Sequence, residues 1–540
     1  MELSLEESFW ILLVVAIIAW YVYDKYVQRE HQLLVNYPII GRLRYLLEEF
    51  REPFRQYFGD EKFYESKDKL DWVYKAARDL PNYASFSPAQ PLPKPKFMIR
   101  HANIVLNDNE VENSFEVIFG ERRRKPFISK SIIARSAMSD GSISPEGTRA
   151  FVQGSFIGGF PINSGEGGVT SNFFVTHENY DSKYMTIVDS SSLNKSIKRV
   201  AKFLFNGAIA ADVYRKLVFK NDPEAETYIL DMNKKQFYRP NWDAPLEVFP
   251  KEVPSDMPDI VFQISSGLYG TRDKNGKFDA YRYQKVMSFC QMTEIKIAQG
   301  AKQTGGKLSG QKVTPAIAYY RNVEAYKDVF SPNRFPYANS IEELFDFIGT
   351  LQELSGKPVG MKIVISDMQN IEPYAKEIKR RVDLGIDAYP DYITLDSGSG
   401  GSATAPLEMM ERVGLNVRDS VYLVNKVLTD YGVRDKVRIV ASGKILTPDD
   451  IIIVMSLGAD FLQIARGFMM SAGCIRARYC SGTTGRQCPV GLATQDKSKR
   501  RKYFVFKYAN YVANYHKNLL KNVKGLLAIM GLKDIKQLDK

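Results

Sequence analysis

Hydrophobic and polar positions divide the 540-residue chain into three regimes. Residues 9–23, FWILLVVAIIAWYVY, are an uncharged apolar run, and Leu3, Leu5 and the aromatic flank out to Tyr26 lengthen it toward the ~20 residues that span a bilayer as a helix. Residues 30–79 are charged and helix-prone. Within them Leu46, Leu47, Phe50, Phe54 and Phe58 recur mostly at intervals of three and four, which predicts an amphipathic helical collar. Pro81 and the stretch 86–95, FSPAQPLPKP, close the collar as a proline-rich connector. Beyond it come short apolar runs at 132–137, 260–265, 295–298, 359–366, 392–395, 438–441 and 461–465. Each ends in glycine or a lone polar residue, and helical patterns such as 374–384, 420–431 and 449–457 separate them. Such alternation predicts parallel βα units, closing most simply into an α/β fold, an eight-stranded (β/α)8 TIM barrel with reactive residues at the C-terminal ends of its strands. Residues 181–256 are charged and irregular and read as an insertion, with some helix at 194–204. From Lys499 onward, Phe504, Tyr508, Val512, Tyr515, Leu519 and Leu526 mark an amphipathic tail helix with a basic face.

The expected organisation is therefore an N-terminal transmembrane helix at 1–28, a collar and connector at 29–95, a barrel at 96–496 and a basic helix at 497–540. Composition is ordinary for a globular chain, with 44% hydrophobic and 25% charged residues. The net charge of +12 is concentrated at one end: residues 496–540 hold twelve Lys or Arg against three Asp. No nucleic-acid module accompanies that tail, so nucleic acid is not an expected partner and an anionic membrane surface is the better fit. Acidic Glu2, Glu6 and Glu7 precede the apolar run and Lys25, Arg29, Arg42 and Arg44 follow it. That order is unlike a signal peptide and predicts a single-pass membrane protein whose body faces the cytoplasm.

The stretch 391–405, DYITLDSGSGGSATA, joins a strand to a loop in which Gly398, Gly400 and Gly401 let backbone N–H groups approach an anion. As a relaxed dinucleotide fingerprint it requires an acid at the end of the next strand. That strand, 437–440, ends in Ala441, Ser442 and Gly443, so the loop reads instead as one part of a barrel rim. The last strand loops of such a barrel commonly hold phosphate, here Ser442-Gly443 and Arg466-Gly467.

Seven motifs in order, SAMSDGSISPEG, NSGEGG, MTEIKIAQGAK, KVTPAIAYYR, LDSGSGGSATAP, VASGKI and CPVGLATQD, resemble the FMN-binding synthase domain of glutamate synthases, in a short membrane-anchored form. The resemblance covers about 125–496 and implies a βα barrel carrying FMN and a 3Fe–4S cluster. It places Ala137, Met138 and Ser139 along the flavin ring, with Gln299 and Lys362 also at the flavin. Lys362 would meet the ring's electron-rich edge, where a fixed ammonium stabilises the charge of the reduced state. Gly400, Gly401, Gly443, Arg466 and Gly467 fall on the phosphate side. Lys296, Gln299, Lys302 and Arg321 fall on the substrate side, where the family holds a dicarboxylate, 2-oxoglutarate or its imine. Two carboxylates call for at least two cationic partners, one of which can grip bidentately. The chain departs from the family at Lys307, in GGKLSG, which is one residue shorter.

Cys474, Cys480 and Cys488 are three of the chain's four cysteines, within fifteen residues, and a cytoplasmic setting favours metal ligation over disulfides. The first interval, five residues, fits the family's cluster. The second, seven, is longer than its usual four, and Gly482 and Gly485 could let the extra residues bulge. Cys290 reads as a buried small hydrophobe, and His31, His101, His177 and His516 show no ligand spacing.

The implied activity is glutamate formation by hydride transfer from reduced FMN to 2-iminoglutarate. The chain lacks an N-terminal cysteine nucleophile for releasing ammonia from glutamine and a nicotinamide domain. Ammonia and electrons are therefore expected from separate partners. Two other readings stand: a membrane-associated flavin dehydrogenase of another amino or hydroxy acid, and a non-catalytic membrane-anchored barrel.

Overall fold

The computed structural model describes residues 5–49, 67–82, 97–174, 183–188, 228–231, 236–300, 306–403, 405, 409, 412–477, 479–481 and 487–538. Eight parallel strands form its centre: β1 (Ile133–Arg135), β2 (Ile162–Asn163), β3 (Ile260–Ile264), β4 (Met292–Lys296), β5 (Val359–Ile363), β6 (Tyr392–Asp396), β7 (Arg438–Ser442) and β8 (Phe461–Ile464). They pair in sequence order and β8 pairs back onto β1, closing the barrel. Helices return the chain between strands, and their starts are written locally. Ser144 accepts from Gly147 N to open α1 (Pro145–Gly158), Thr314 from Ile317 N to open α2 (Pro315–Arg321), and Asp367 from Asn370 N to open α3 (Met368–Asp383). Proline occupies the first turn of α1 and α2, where its missing N–H costs nothing.

Period-2 alternation sends every second side chain of each strand into the barrel, and these form layers. The floor is apolar: Ala134, Val261, Met292, Tyr392, Val440 and Phe461 pack against Phe119 and Phe127 of the hairpin Val117–Phe119/Phe127–Ser129. The Phe119 ring lies edge-on to Tyr392 at 5.4 Å and to Phe461 at 5.2 Å. Gly360 of β5 leaves room for Tyr392, since a Cβ there would come within 2.5 Å of that ring and its carbonyl. Above the floor the interior turns polar. Glu294 of β4, fully buried, accepts from Asn163 Nδ2 (2.9 Å) and Gln263 Nε2 (2.6 Å) on one oxygen. Its other oxygen accepts from Thr394 Oγ1 (2.7 Å) and Gln463 Nε2 (2.7 Å). One carboxylate thus ties β4 to β2, β3, β6 and β8.

The anticipated barrel is present, and most runs read from the pattern begin or end within a few residues of the observed strands. The run expected at 295–298 is strand from Met292, and the helix expected at 374–384 begins at Met368. β2, only two residues long between Pro161 and a glycine loop, was not anticipated. Within 181–256 the described part includes a three-stranded antiparallel sheet, Met185–Val188, Gln236–Pro240 and Ile229–Asp231, followed by a single 3-10 turn at Leu246–Val248. The helix expected at 194–204, the connector at 86–95 and Phe50, Phe54 and Phe58 lie outside the described residues. The tail helix, α4 (Val505–Met530), packs on α1 and buries Tyr508, Val512, Tyr515 and Leu519. His516 on α4 is buried, stacked on Phe160 at 4.3 Å and hydrogen-bonded with Ser131 Oγ.

Replacing Glu294 by Ala strips four buried donors of their acceptor and is expected to cost on the order of 3–5 kcal/mol. Glu294→Gln, which can re-pair after amide flips of Gln463 or Gln263, is expected to cost less than half as much. Urea midpoints of the purified variants measure the difference.

Candidate active site

The C-terminal ends of the strands carry the predicted residues. Lys296 ends β4, and its Nζ donates to Glu166 Oε2 at 3.0 Å. Glu166 lies in the NSGEGG turn after β2, held beneath the β1 loop by glycines: a Cβ on Gly165 would come within 2.5 Å of Ser139 N. Burial pushes the Glu166 carboxyl up, but Lys296, a Ser265 hydrogen bond and the charge of Arg321 outweigh it, so its pKa is held down at about 2. Glu166 therefore feels both cations, and the three share one corner of the rim.

Arg321 ends α2, where Asn322 takes the left-handed cap conformation. Its guanidinium, 3% exposed, donates to the Asp140 carbonyl at 3.2 Å and Ser139 Oγ at 3.4 Å, while its buried Nε has no partner among the described residues. Behind it Asp140, raised in pKa by burial, accepts from Thr170 and Asn172. Ser139 is thus brought to the substrate-side arginine, whereas Ala137 and Met138 remain partly exposed in the same loop. Lys302 lies outside the described residues.

On the neighbouring strand, Lys362 of β5, the register partner of Lys296, is buried with its Nζ 3.9 Å from Asp396 Oδ2 at the end of β6. The same Asp396 oxygen accepts from Gly300 N at 3.0 Å. Gly300 must be glycine, because a Cβ would overlap the Ser397 carbonyl, and so must Gly443 (φ +121°), whose Cβ would overlap Ser397. Gln299 Nε2 donates to Gly401 O at 3.3 Å, joining the β4 and β6 loops. Gly401 has space above it, with Arg466 Nη2 3.8 Å from where its Cβ would stand. Gly400 is crowded by the Ser397 carbonyl. Gly467 answers a different need: its missing Cβ makes room for the Tyr515 hydroxyl, which donates to Leu446 O. Ser397 and Ser399 hydrogen-bond each other at 2.8 Å, and Ser399 N donates to Ser397 Oγ, so both serines shape the loop. An open glycine face beside Arg466, with Lys362 buried nearby, suits an anionic, planar cofactor.

Cys474, Cys480 and Cys488 follow β8. Burial pushes the Cys474 thiol up to about 12, and the charges of Cys480 and Cys488 add to the effect. Among the described residues no three His, Cys, Asp or Glu side chains are gathered around a single ion. The loop 482–486, which sets the unusual second interval, lies outside the described residues. Next to the cysteines stands Lys312, 9% exposed, donating to the Cys480 carbonyl at 2.6 Å and within the electrostatic reach of Cys480 and Cys488. No carboxylate pairs with it among the described residues. The sequence pattern assigned no role to Glu294, Glu166, Asp396 or Lys312, although MTEIKIAQGAK, NSGEGG, LDSGSGGSATAP and KVTPAIAYYR contain one each.

Residues 84–533 match the family described as the conserved region in glutamate synthase. The chain is 28% identical over 566 residues to the glutamate synthase large subunit-like protein YerD of Bacillus subtilis, covering 97% of this chain and 91% of that one. It is 30% identical over 292 residues to an archaeal-type NADPH glutamate synthase of Thermotoga maritima, of which it spans 53% while using 54% of its own length. Among solved structures, a mandelate oxidase variant with an FMN adduct aligns over 90% of this chain and 96% of its own at 12% identity and a TM-score of 0.40, a likeness too loose to bear on function. The fold is an eight-stranded barrel with a charged, glycine-lined rim. The chain belongs to the glutamate synthase family.

The Glu166–Lys296 pair yields a pH signature. Because the folded pKa of Glu166 lies below its ordinary 4.5, its stabilising contribution is present above pH 4.5 and is lost as pH falls toward about 2. Thermal midpoints of the parent and Glu166→Gln are expected to differ above that pH and to converge below it.

Proposed function

We propose that this chain is an FMN-dependent oxidoreductase that makes glutamate from 2-oxoglutarate and ammonia through 2-iminoglutarate, with ammonia and electrons delivered by partners. The observation that carries the reading is the rim itself: half-buried Lys296 and buried Arg321 stand beside one carboxylate, Glu166, next to Lys362 and the Gly300/Gly401/Gly443 loops. FMN bound there supplies a two-electron hydride donor and acceptor. The protein's work is placement. Arg321, fixed by Ser139 and Asp140, offers its guanidinium charge to one substrate carboxylate, and Lys296, oriented by Glu166, offers an ammonium to the other. Lys302 and Gln299 extend that substrate side. Lys362 would place a cation at the negative edge of the flavin, Ala137, Met138 and Ser139 would line its ring, and Gly400, Gly401, Gly443 and Arg466 would serve its phosphate side, with Gly467 behind them making room for Tyr515. No side-chain nucleophile is required.

Cys474, Cys480 and Cys488 are read as the ligands of a 3Fe–4S cluster. Three protein thiolates around iron carry net negative charge, and the buried, carboxylate-free Lys312 supplies the counter-charge that such an occupant demands. A cluster also spreads its ligands more widely than one ion does, so the absence of single-ion convergence does not oppose it. Lys312→Met is expected to lose iron on gel filtration roughly 10-fold more readily than the parent, with Lys312→Arg holding it. Iron analysis of anaerobically purified protein measures both, and a parent without iron sinks the cluster.

The N-terminal helix Leu5–Val22 leads the 20-residue span Ser8–Val27, apolar enough to cross a membrane, with mean hydropathy 1.6 and 6% burial. We read it as a single-pass anchor with the barrel on the cytoplasmic side. The deciding functional experiment is anaerobic titration of the purified flavoprotein with glutamate, with 2-oxoglutarate plus ammonium, and with other 2-amino and 2-hydroxy acids. Bleaching and reoxidation by the glutamate pair alone supports the proposal. Bleaching by another acid assigns the second reading, a flavin dehydrogenase, and a colourless protein leaves a non-catalytic barrel. Lys362→Met is expected to lower both flavin content and turnover, and unchanged values would move the flavin site elsewhere.

A further inference from the structure

We infer that the short helix Ile40–Glu49 lies in the membrane surface, locked to the end of the spanning helix by an ion pair from half-exposed Arg42 to buried Asp24, so that the chain enters the bilayer through a rigid elbow. The inference rests on reading Leu5–Val22 as the span. That helix is about 27 Å long at 1.5 Å per residue, close to the thickness of a hydrocarbon core. Its last turn carries Trp20 and Tyr21, the residue types that mark a membrane–water boundary.

Immediately after it, Asp24 is completely buried, and its carboxylate accepts from Arg42 Nε and Nη2 (2.5–3.1 Å) and from Ile39 N at 2.9 Å. The Arg42 guanidinium also lies over the Trp20 ring, 5.2 Å from its centre. These contacts hold the start of Ile40–Glu49 at the depth of Trp20. The helix has two unlike sides. Gly41 and Tyr45 face the protein: a Cβ on Gly41 would come 2.9 Å from Leu34, and the Tyr45 ring packs on His31 at 4.3 Å. The side turned away carries Ile40, Leu43, Leu46 and Leu47, which are 77%, 54%, 54% and 46% exposed. Four exposed aliphatic residues on three short turns are costly in water. At the level of an aromatic belt, flanked by Lys25, Arg29 and Arg44, the same face matches the boundary of an anionic bilayer in both apolarity and charge.

The test uses the full chain in nanodiscs of phosphatidylcholine and phosphatidylglycerol brominated either near the headgroups or near the chain ends. Trp20→Phe leaves Trp10 to report on the span above the signal of Trp72 and Trp242; the Trp10→Phe/Trp20→Phe protein, measured alone, gives that Trp72 and Trp242 signal for subtraction, Leu47→Trp in that background reports on the elbow helix, and Glu48→Trp in it is the control. The expected result is loss of Leu47→Trp fluorescence, greater with headgroup-proximal bromine, and a smaller loss for Glu48→Trp. Quenching of Trp10 without quenching of Leu47→Trp overturns the surface helix while leaving the span intact. Equal quenching at 47 and 48 also overturns it, as does a concentration-dependent dimer that shields Leu47→Trp. An unquenched Trp10 removes the span itself and the inference with it.

Discussion

A single carboxylate inside the barrel sets the terms for everything above it. Glu294 draws hydrogen bonds from four other strands, and a charge so deeply buried persists only when its lone pairs are filled. Its demand fixes the identity of the inward residue at one level of β2, β3, β6 and β8. It also separates an aromatic floor, closed by Phe119, from a rim where Lys296 and Asp396 occupy the next inward positions of β4 and β6. The rim's charges therefore stand on a layer that cannot slide. A register slip of one residue in any of those strands would turn its donor outward and leave the carboxylate short.

The rim then combines two local electrostatic arrangements. In one, Glu166 and the Asp140 carbonyl orient Lys296 and Arg321 without cancelling them, leaving positive potential toward the open space. In the other, Asp396 is shared between Lys362 and Gly300 N, so a carboxylate placed by β6 sets both a cation and a close backbone turn. Glycine does separate jobs around this ring. Gly300 and Gly443 admit the Ser397 backbone and side chain, Gly401 leaves open surface, and Gly467 belongs to the packing of Tyr515 on the tail helix.

Much of this was legible in the chain before folding was considered. Runs such as IVFQI and YITLD, ending in glycine or a lone polar residue, disclosed the strands, whereas the cap at Asp367 was not read and the helix behind it was expected six residues late. β2 was hidden because two residues carry no periodicity. Glu294 was hidden for a subtler reason. In MTEIK the alternation of apolar and polar looks like a strand with one face in water, whereas the polar face points into the barrel. The clue was collective: Asn163, Gln263, Thr394 and Gln463 are polar at matching inward positions, a pattern visible only once strands are aligned side by side. Glu166 and Lys312 escaped because their partners lie 130 residues away or sit in a cysteine segment whose fold depends on a loop.

The collar does more than connect. Asn36 Nδ2 donates to the Pro489 carbonyl, Gln32 bonds Lys502 O and Phe504 N, and the Tyr74 hydroxyl donates to the Cys474 carbonyl. Segments on both sides of the cysteines are thus covered by the part of the chain that follows the apolar helix. Trimming the protein to its barrel would uncover that sulfur-rich wall, so the collar acts as a housing for the cysteine segment as well as a connector.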